Sequence, residues 1–135
     1  MMPTIERIDH VVMTTKDVEA TAAWYVKVLG FKREPFGPQQ RVALKFGQQK
    51  FNLRPVGDKE WVTCPVDAAG MHDLCFMTGG AIADVVKHLG ECGVAIAHGP
   101  FTQIGALGAM TSVYCCDPDG NLIEIASYEG QPHAG

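Results

Sequence analysis

The second half of the chain repeats the first, and this constrains the fold more than any other feature of the sequence. The segment 8–15, IDHVVMTT, resembles the segment 71–78, MHDLCFMT. The register is kept, because Asp73 stands 63 positions after His10 and Gly93 stands 63 positions after Gly30. A duplicated unit places equivalent residues at equivalent points of two similar structures. Polar residues at such positions are therefore the first candidates for a functional site.

Composition limits the classes of protein to which the chain can belong. Its 135 residues fit one domain, with 47% hydrophobic and 19% charged residues, as in ordinary globular proteins. The net charge of −4 argues against a nucleic-acid partner. No apolar run approaches the roughly 20 residues of a membrane helix, and the first residues lack the pattern of a signal peptide. We therefore expect a cytoplasmic protein with no membrane partner.

The five cysteines form no CxxC pair, which argues against a structural zinc site or a disulfide framework. Cys75 falls in an apolar strand pattern and is predicted to be a small buried residue. These cysteines therefore give no functional assignment at the level of sequence.

Hydrophobic periodicity predicts the element order βαβββ in each half, and hence an α+β fold. The first unit, about 7–55, has a strand over 7–14, a helix over 17–29 and strands over 31–36, 41–47 and 49–55. The second unit, about 71–128, has a strand over 72–78, a helix over 81–92 and strands over 94–98, 110–116 and 121–127. Together they are predicted to form a single domain over 1–135.

Three segments fall outside this pattern. Residues 56–70 show no clear period and are predicted to link the units. The glycine-rich stretch 99–108 is predicted to be a long connection, which forms either a mobile lid or a plain surface loop. The tail, 131–135, is predicted to be frayed.

Four segments carry a resemblance to a known family. The chain resembles the vicinal oxygen chelate superfamily, which contains glyoxalase I, bleomycin-resistance proteins and extradiol dioxygenases. The resemblance covers about residues 7–128 and implies that the two units have curved mixed sheets that enclose a cavity. It also implies a homodimer and one divalent metal per site. The segments are Asp9–Val12, Trp24–Phe31, Gly70–Phe76 and Asp117–Glu124, the last reading DPDGNLIE.

The resemblance implies four metal-ligand positions, two in each unit. His10 fills the first position and Glu124 the fourth. Alignment of the last strands of the two units places Asn52 opposite Glu124, at the second position. At the third position the 63-residue register and strand alternation favour Asp73 over His72. A β-bulge would shift the register by one residue and reverse this choice.

This ligand set has consequences for the chemistry. One imidazole, two carboxylates and an amide suit Mn, Fe(II), Mg or Ni, and zinc remains an alternative. Asn52 cannot act as a base at neutral pH, so authentic glyoxalase I activity is not expected. The set also departs from the two-histidine, one-carboxylate triad of Fe(II) oxygenases, which leaves open a site that has lost its metal.

Strand alternation predicts which cations share the face of Asn52. Lys50 and Arg54 are in phase with it, and both are candidate substrate contacts. Arg41 and Lys45 fall on the same side of the preceding strand, where a solvated face is the simpler interpretation. A small anionic ligand would match this wall.

The leading hypothesis is a metal-dependent lyase, isomerase or dioxygenase of glyoxalase type, acting on a small oxygen-chelating substrate. Glu124 would be the catalytic residue, a ligand that exchanges to act as a base. The alternative hypothesis is a metal-free protein of bleomycin-resistance type that sequesters a ligand.

Overall fold

The computed structural model describes residues 1–130 and divides the chain into two units, Met1–Ala69 and a second unit that begins at Gly70. The tail, 131–135, lies outside the described residues, so its predicted fraying is not addressed. Within residues 1–130, no helix has both the length and the hydropathy to cross a membrane.

Unit 1 has the predicted βαβββ order. The elements are β1 (His10–Thr15), α1 (Val18–Leu29), β2 (Lys32–Phe36), β3 (Arg41–Phe46) and β4 (Gln49–Pro55). The strands form a four-stranded mixed sheet, sheet A, in the order β1-β4-β3-β2, with β1 parallel to β4 and the other neighbours antiparallel.

Helix α1 begins and ends where the sequence predicts. The Asp17 side chain accepts a hydrogen bond from the Ala20 backbone N–H at 3.0 Å, which satisfies one of the free donors at the helix start. Gly30 ends the helix at a φ of 71°, a left-handed conformation that glycine adopts without a steric penalty.

Packing of α1 against sheet A determines which side chains of β4 are buried in the core. The ring of Phe51 lies edge-on to Tyr25 of α1, with the ring centroids 5.7 Å apart. Tyr25 is fully buried and Phe51 is 2% exposed. Burial of a phenylalanine side chain stabilises a fold by about 1.5–3 kcal/mol. Because successive strand residues point to opposite faces, Asn52 must then lie on the face away from α1.

Unit 2 repeats this architecture. The elements are β5 (Asp73–Met77), α2 (Ile82–Glu91), β6 (His98–Gly105), β7 (Gly108–Cys116) and β8 (Leu122–Ser127). The strands form a second four-stranded mixed sheet, sheet B, in the order β5-β8-β7-β6, with β5 parallel to β8. Helix α2 contacts β7 and β8. The predicted fold class is thus confirmed for each unit.

The prediction for residues 94–108 is wrong. The strand lies over His98–Gly105 instead of 94–98, and it pairs antiparallel with β7 through a tight turn. The glycines here allow close approach of neighbouring groups. A Cβ on Gly99 would lie 2.7 Å from the Ser112 carbonyl oxygen, and one on Gly105 would collide with Tyr128. Glycine in a strand often has this role, and the segment is neither a lid nor a long loop.

We predict that Phe51→Ala lowers the free energy of unfolding by about 3–5 kcal/mol, because it leaves a cavity beside Tyr25. Urea denaturation followed by circular dichroism measures this change. The matched control is Phe101→Ala, which removes a 43% exposed ring and should cost less than about 1 kcal/mol. Equal losses in the two variants would contradict the assignment of Phe51 to the core.

Candidate functional site

On sheet A, the face away from α1 carries an unsatisfied amide. Asn52 is paired with Val12 on one side and with Ala43 on the other, in the middle of the sheet. It is 6% exposed, and its Oδ1 has no hydrogen-bond partner. An unsatisfied buried acceptor costs about 1–3 kcal/mol, so it needs an explanation. We call this surface the Asn52 face.

Sheet B carries an unsatisfied carboxylate oxygen at the equivalent position. Glu124 is paired with Cys75 of β5 and with Tyr114 of β7, so the three side chains share one face. Oε2 of Glu124 is buried and has no hydrogen-bond partner. Opposite this surface, which we call the Glu124 face, lie the buried residues Ile123 and Ile125.

The register of β5 places Asp73 on the Glu124 face. Asp73 is paired with Leu122, and the pairing continues without a shift through Met77. Over Asp73–Met77 there is therefore no bulge of the kind that would favour His72. His72 lies before the strand, where its backbone N–H donates to the Asn121 side chain at 2.9 Å.

Two neighbours of Glu124 stay protonated at neutral pH. Partial desolvation raises the pKa of the Cys75 thiol to about 11, and the negative charge of Glu124 adds to this effect. Burial also raises the pKa of the Tyr114 hydroxyl, again with a contribution from Glu124. Cys75 was expected to be a buried residue, but it is exposed on this face. Its alternation with Asp73 was the sequence signal for this position.

His10 lies at the start of β1 in unit 1, paired with Lys50 of β4. Its side chain is 45% exposed, and Nδ1 is 3.0 Å from an Asp9 carboxylate oxygen. The hydrogen bond with His10, together with the charge of Arg7, lowers the pKa of Asp9. An Nδ1–H donated to Asp9 leaves the lone pair of Nε2 free, as in metal-ligating histidines. The sequence did not assign this role to Asp9.

The donor types at the four predicted positions fit a divalent cation, since imidazole, carboxylate and amide oxygen are its common ligands. The unsatisfied oxygens of Asn52 and Glu124 agree with this chemistry. Within residues 1–130, however, the structure gathers no group of three or more His, Cys, Asp or Glu side chains that could hold a metal ion.

Lys50 is the cation best placed to meet a ligand on the Asn52 face. Its Nζ lies 4.0 Å from the centroid of the Phe36 ring, and it makes no ion pair within the described part of the chain. Lys45, in contrast, lies 3.6 Å from a carboxylate oxygen of Glu34. Since Lys50 stands two residues before Asn52 on β4, the ammonium group and the amide share one face.

The guanidinium group of Arg54 is engaged within unit 1. It forms a bidentate pair with Asp67, with nitrogen–oxygen distances of 2.7 and 3.1 Å. It also donates to the backbone oxygens of Trp61 and Asp58, both at 2.9 Å. Arg54 is only 2% exposed. The geometry therefore favours a structural role for Arg54 over the substrate contact predicted from the sequence.

The fold is that of a known superfamily. A family model described as the Glyoxalase/Bleomycin resistance protein/Dioxygenase superfamily matches residues 7–125. The chain belongs to this superfamily.

Three similar proteins illustrate the relationship. Virulence protein STM3117 of Salmonella typhimurium is 44% identical over 124 residues, which cover 92% of this chain and 85% of the relative. Glyoxalase domain-containing protein RDO1 of Mycosarcoma maydis is 42% identical over 125 residues, which cover 93% of this chain and 70% of the relative. The structure of the V. cholerae integron cassette protein VCH_CASS1 is 43% identical, with a TM-score of 0.92, and covers 96% of this chain and 100% of that chain.

We predict that the Arg54–Asp67 pair gives unit 1 a pH-dependent stability. The hydrogen bond from Arg54, with that from the Gly57 N–H, lowers the pKa of Asp67 below its ordinary value of 3.8. The pair therefore stabilises the fold above pH 3.8, and this contribution is lost as the pH falls through the lower folded pKa. Asp67→Asn should be less stable than the wild type at pH 7, and the difference should shrink below about pH 3.8.

Urea denaturation at pH 7, 5 and 3 measures this difference. Glu60→Gln is the matched control, because Glu60 is an exposed acid of the same segment and should show little change at any pH. A stability difference for Asp67→Asn that stays constant down to pH 3 would contradict the assignment.

Proposed function

We propose that the chain is a glyoxalase-superfamily enzyme, a metal-dependent lyase, isomerase or dioxygenase that acts on a small anionic, oxygen-chelating substrate. The observation that supports this most directly is the position of the unsatisfied atoms. Within residues 1–130, three buried side-chain polar atoms lack a hydrogen-bond partner: Asn52 Oδ1, Glu124 Oε2 and Ser112 Oγ. Two of them are the last-strand ligand positions implied by the family resemblance.

The metal ligands in this proposal are His10, Asn52, Asp73 and Glu124. Support for His10 comes from its contact with Asp9, and support for Asp73 comes from the unshifted register of β5. A bound Mn, Fe, Ni, Mg or Zn ion would supply a Lewis acid for the oxygen atoms of the substrate. The unsatisfied oxygens agree with a site that is completed only when a ligand binds.

Glu124 is the proposed catalytic residue, acting as a proton acceptor through Oε2. The neighbouring Cys75 and Tyr114 keep their protons at neutral pH, so neither competes with Glu124 for this role. The Tyr114 hydroxyl instead hydrogen-bonds to the Glu124 side chain. Since Asn52 carries no titratable group, the chemistry at these positions has one carboxylate base where glyoxalase I has two carboxylates.

Lys50 is the proposed contact for the negative charge of the substrate. Its ammonium group is attracted to the face of the Phe36 ring, which holds it in place. No acidic side chain of the described residues pairs with it, so it can pair with a ligand carboxylate. We therefore assign anion binding to Lys50, with Asn52 beside it, and leave Arg54 to stabilise unit 1.

The alternative is a metal-free protein that binds and sequesters a small ligand. The observation in its favour is the ligand set itself, in which the neutral amide of Asn52 stands where glyoxalase I-like enzymes have a carboxylate. The same faces would then supply hydrogen bonds and charge to the ligand without chemistry. For either function the family resemblance supports a homodimer, which sedimentation analysis would test.

We predict that wild-type protein purified without chelator and supplied with Mn, Fe(II), Ni, Mg or Zn retains about one metal per chain. The combined change His10→Ala and Glu124→Ala removes an imidazole and a carboxylate ligand and should weaken metal binding by at least about 100-fold. Elemental analysis after dialysis, together with metal titration calorimetry, measures both quantities.

The matched control is His88→Ala with Glu91→Ala, which removes an exposed histidine and acid from α2 and should leave metal binding unchanged. Full metal retention in the His10 and Glu124 variant would contradict the proposed ligand set. A wild type that retains none of the five metals would support the sequestering function instead.

A further inference from the structure

Unit 1 contains a cavity that the functions proposed above do not use. Its volume is about 240 Å³, and it lies where α1 and β3 begin and β4 ends. A cavity of about 150 Å³ is enough to bind benzene. Val42, which is half-buried, contributes apolar surface to its lining, whereas its cross-strand partner Leu53 is 1% exposed and belongs to the core. His10, Lys50 and Asn52 do not line it, so it is not the site of the metal or anion contacts proposed above, although Arg41 lies on the same side of sheet A as Asn52.

The cationic part of the cavity is a stacked guanidinium group. The Arg41 Cζ lies 4.1 Å from the centroid of the Trp61 ring, and both residues line the cavity. A guanidinium group that stacks on an aromatic ring keeps its N–H edges free for a carboxylate. Within residues 1–130, Arg41 forms no ion pair with Asp58 or Glu60, although both line the same cavity. The guanidinium group is thus available to a ligand.

The anionic part of the cavity is formed by Asp58 and Glu60. The Asp58 Oδ1 accepts a hydrogen bond from the Glu60 backbone N–H at 3.0 Å, which fixes the turn that holds both acids. The Glu60 carboxylate has no ion pair in the described part of the chain. It is therefore available to a positively charged group.

The cavity carries both a positive group and negative groups, and this limits which ligands it can bind. The two carboxylates would repel a simple organic anion, and the Arg41 guanidinium would repel a simple amine. A molecule that carries both charges satisfies both groups at once. We propose that this cavity binds a free zwitterionic α-amino acid with an apolar or aromatic side chain. Its carboxylate meets Arg41, its ammonium group meets Glu60, and its side chain lies against Val42 and the Trp61 ring.

Tryptophan fluorescence tests this proposal directly. The chain has two tryptophans, so Trp24→Phe makes Trp61 the single reporter. The probes are L-phenylalanine, 3-phenylpropanoate, which lacks the ammonium group, and phenethylamine, which lacks the carboxylate. We expect a saturable change with phenylalanine and affinities at least about tenfold weaker for both analogues, because each leaves a charged group unpaired.

Variants in the Trp24→Phe background assign the contacts. Arg41→Gln and Glu60→Gln should each weaken phenylalanine binding by at least about tenfold. Lys87→Gln is the matched control, since it removes a cation of unit 2 whose side chain is 78% exposed and should leave phenylalanine binding unchanged.

Three results would overturn the proposal. They are binding of an analogue as tight as that of phenylalanine, unchanged binding in Arg41→Gln, and no saturable response to phenylalanine. For the last case, amide shifts of residues 58–61 in ¹H–¹⁵N spectra give a second readout. The absence of shifts at millimolar phenylalanine would exclude the site.

Discussion

The packing of a helix on one face of each sheet is the constraint on which the rest of the structure depends. In unit 1, Phe51 and Leu53 are buried on the α1 side of β4, and this forces Lys50 and Asn52 to the other face. In unit 2, Ile123 and Ile125 are buried, and Glu124 between them takes the opposite face. A slip of one residue in either last strand would exchange the two faces completely. The candidate functional surface is therefore positioned by the hydrophobic core.

The same constraint explains why the candidate site carries unsatisfied atoms. Because the core fixes the strands, Asn52 and Glu124 cannot turn away to find partners, and each retains a buried oxygen without a hydrogen bond. Each such atom lowers stability by about 1–3 kcal/mol. Proteins tolerate local violations of this kind mainly at functional sites. Two violations at equivalent points of a duplicated unit are therefore the observation on which the proposed ligand positions depend.

Much of the fold could be predicted from the sequence because local chemistry and hydrophobic pattern agree. The helix predicted over 17–29 lies at Val18–Leu29, and the 63-residue offset between His10 and Asp73 also separates the first residues of β1 and β5. The prediction for residues 94–108 failed because glycine occurs both in flexible connections and at close contacts within strands. Gly99 and Gly105 suggested a flexible connection, whereas they allow close approach within a strand pair.

The candidate site was less predictable because tertiary partners decide what each polar residue does. Arg54 is in phase with Asn52, but Asp67, from a segment without periodicity, occupies its guanidinium group. Arg41 was interpreted as part of a solvated face, yet it stacks on Trp61 from the same segment. Alternation along β4 and β8 was enough to place Asn52 and Glu124, since it depends only on the strand and its buried face.

The most direct test of this account is the unfolding free energy of Asn52→Leu, measured with chelator and with added metal. If the amide of Asn52 exists for a ligand, a leucine of similar size should leave the chelated protein at least as stable as the wild type, and the metal should stabilise the variant less. A loss of more than about 1 kcal/mol in chelator, with an unchanged response to metal, would show that Asn52 has a structural role and would contradict the account.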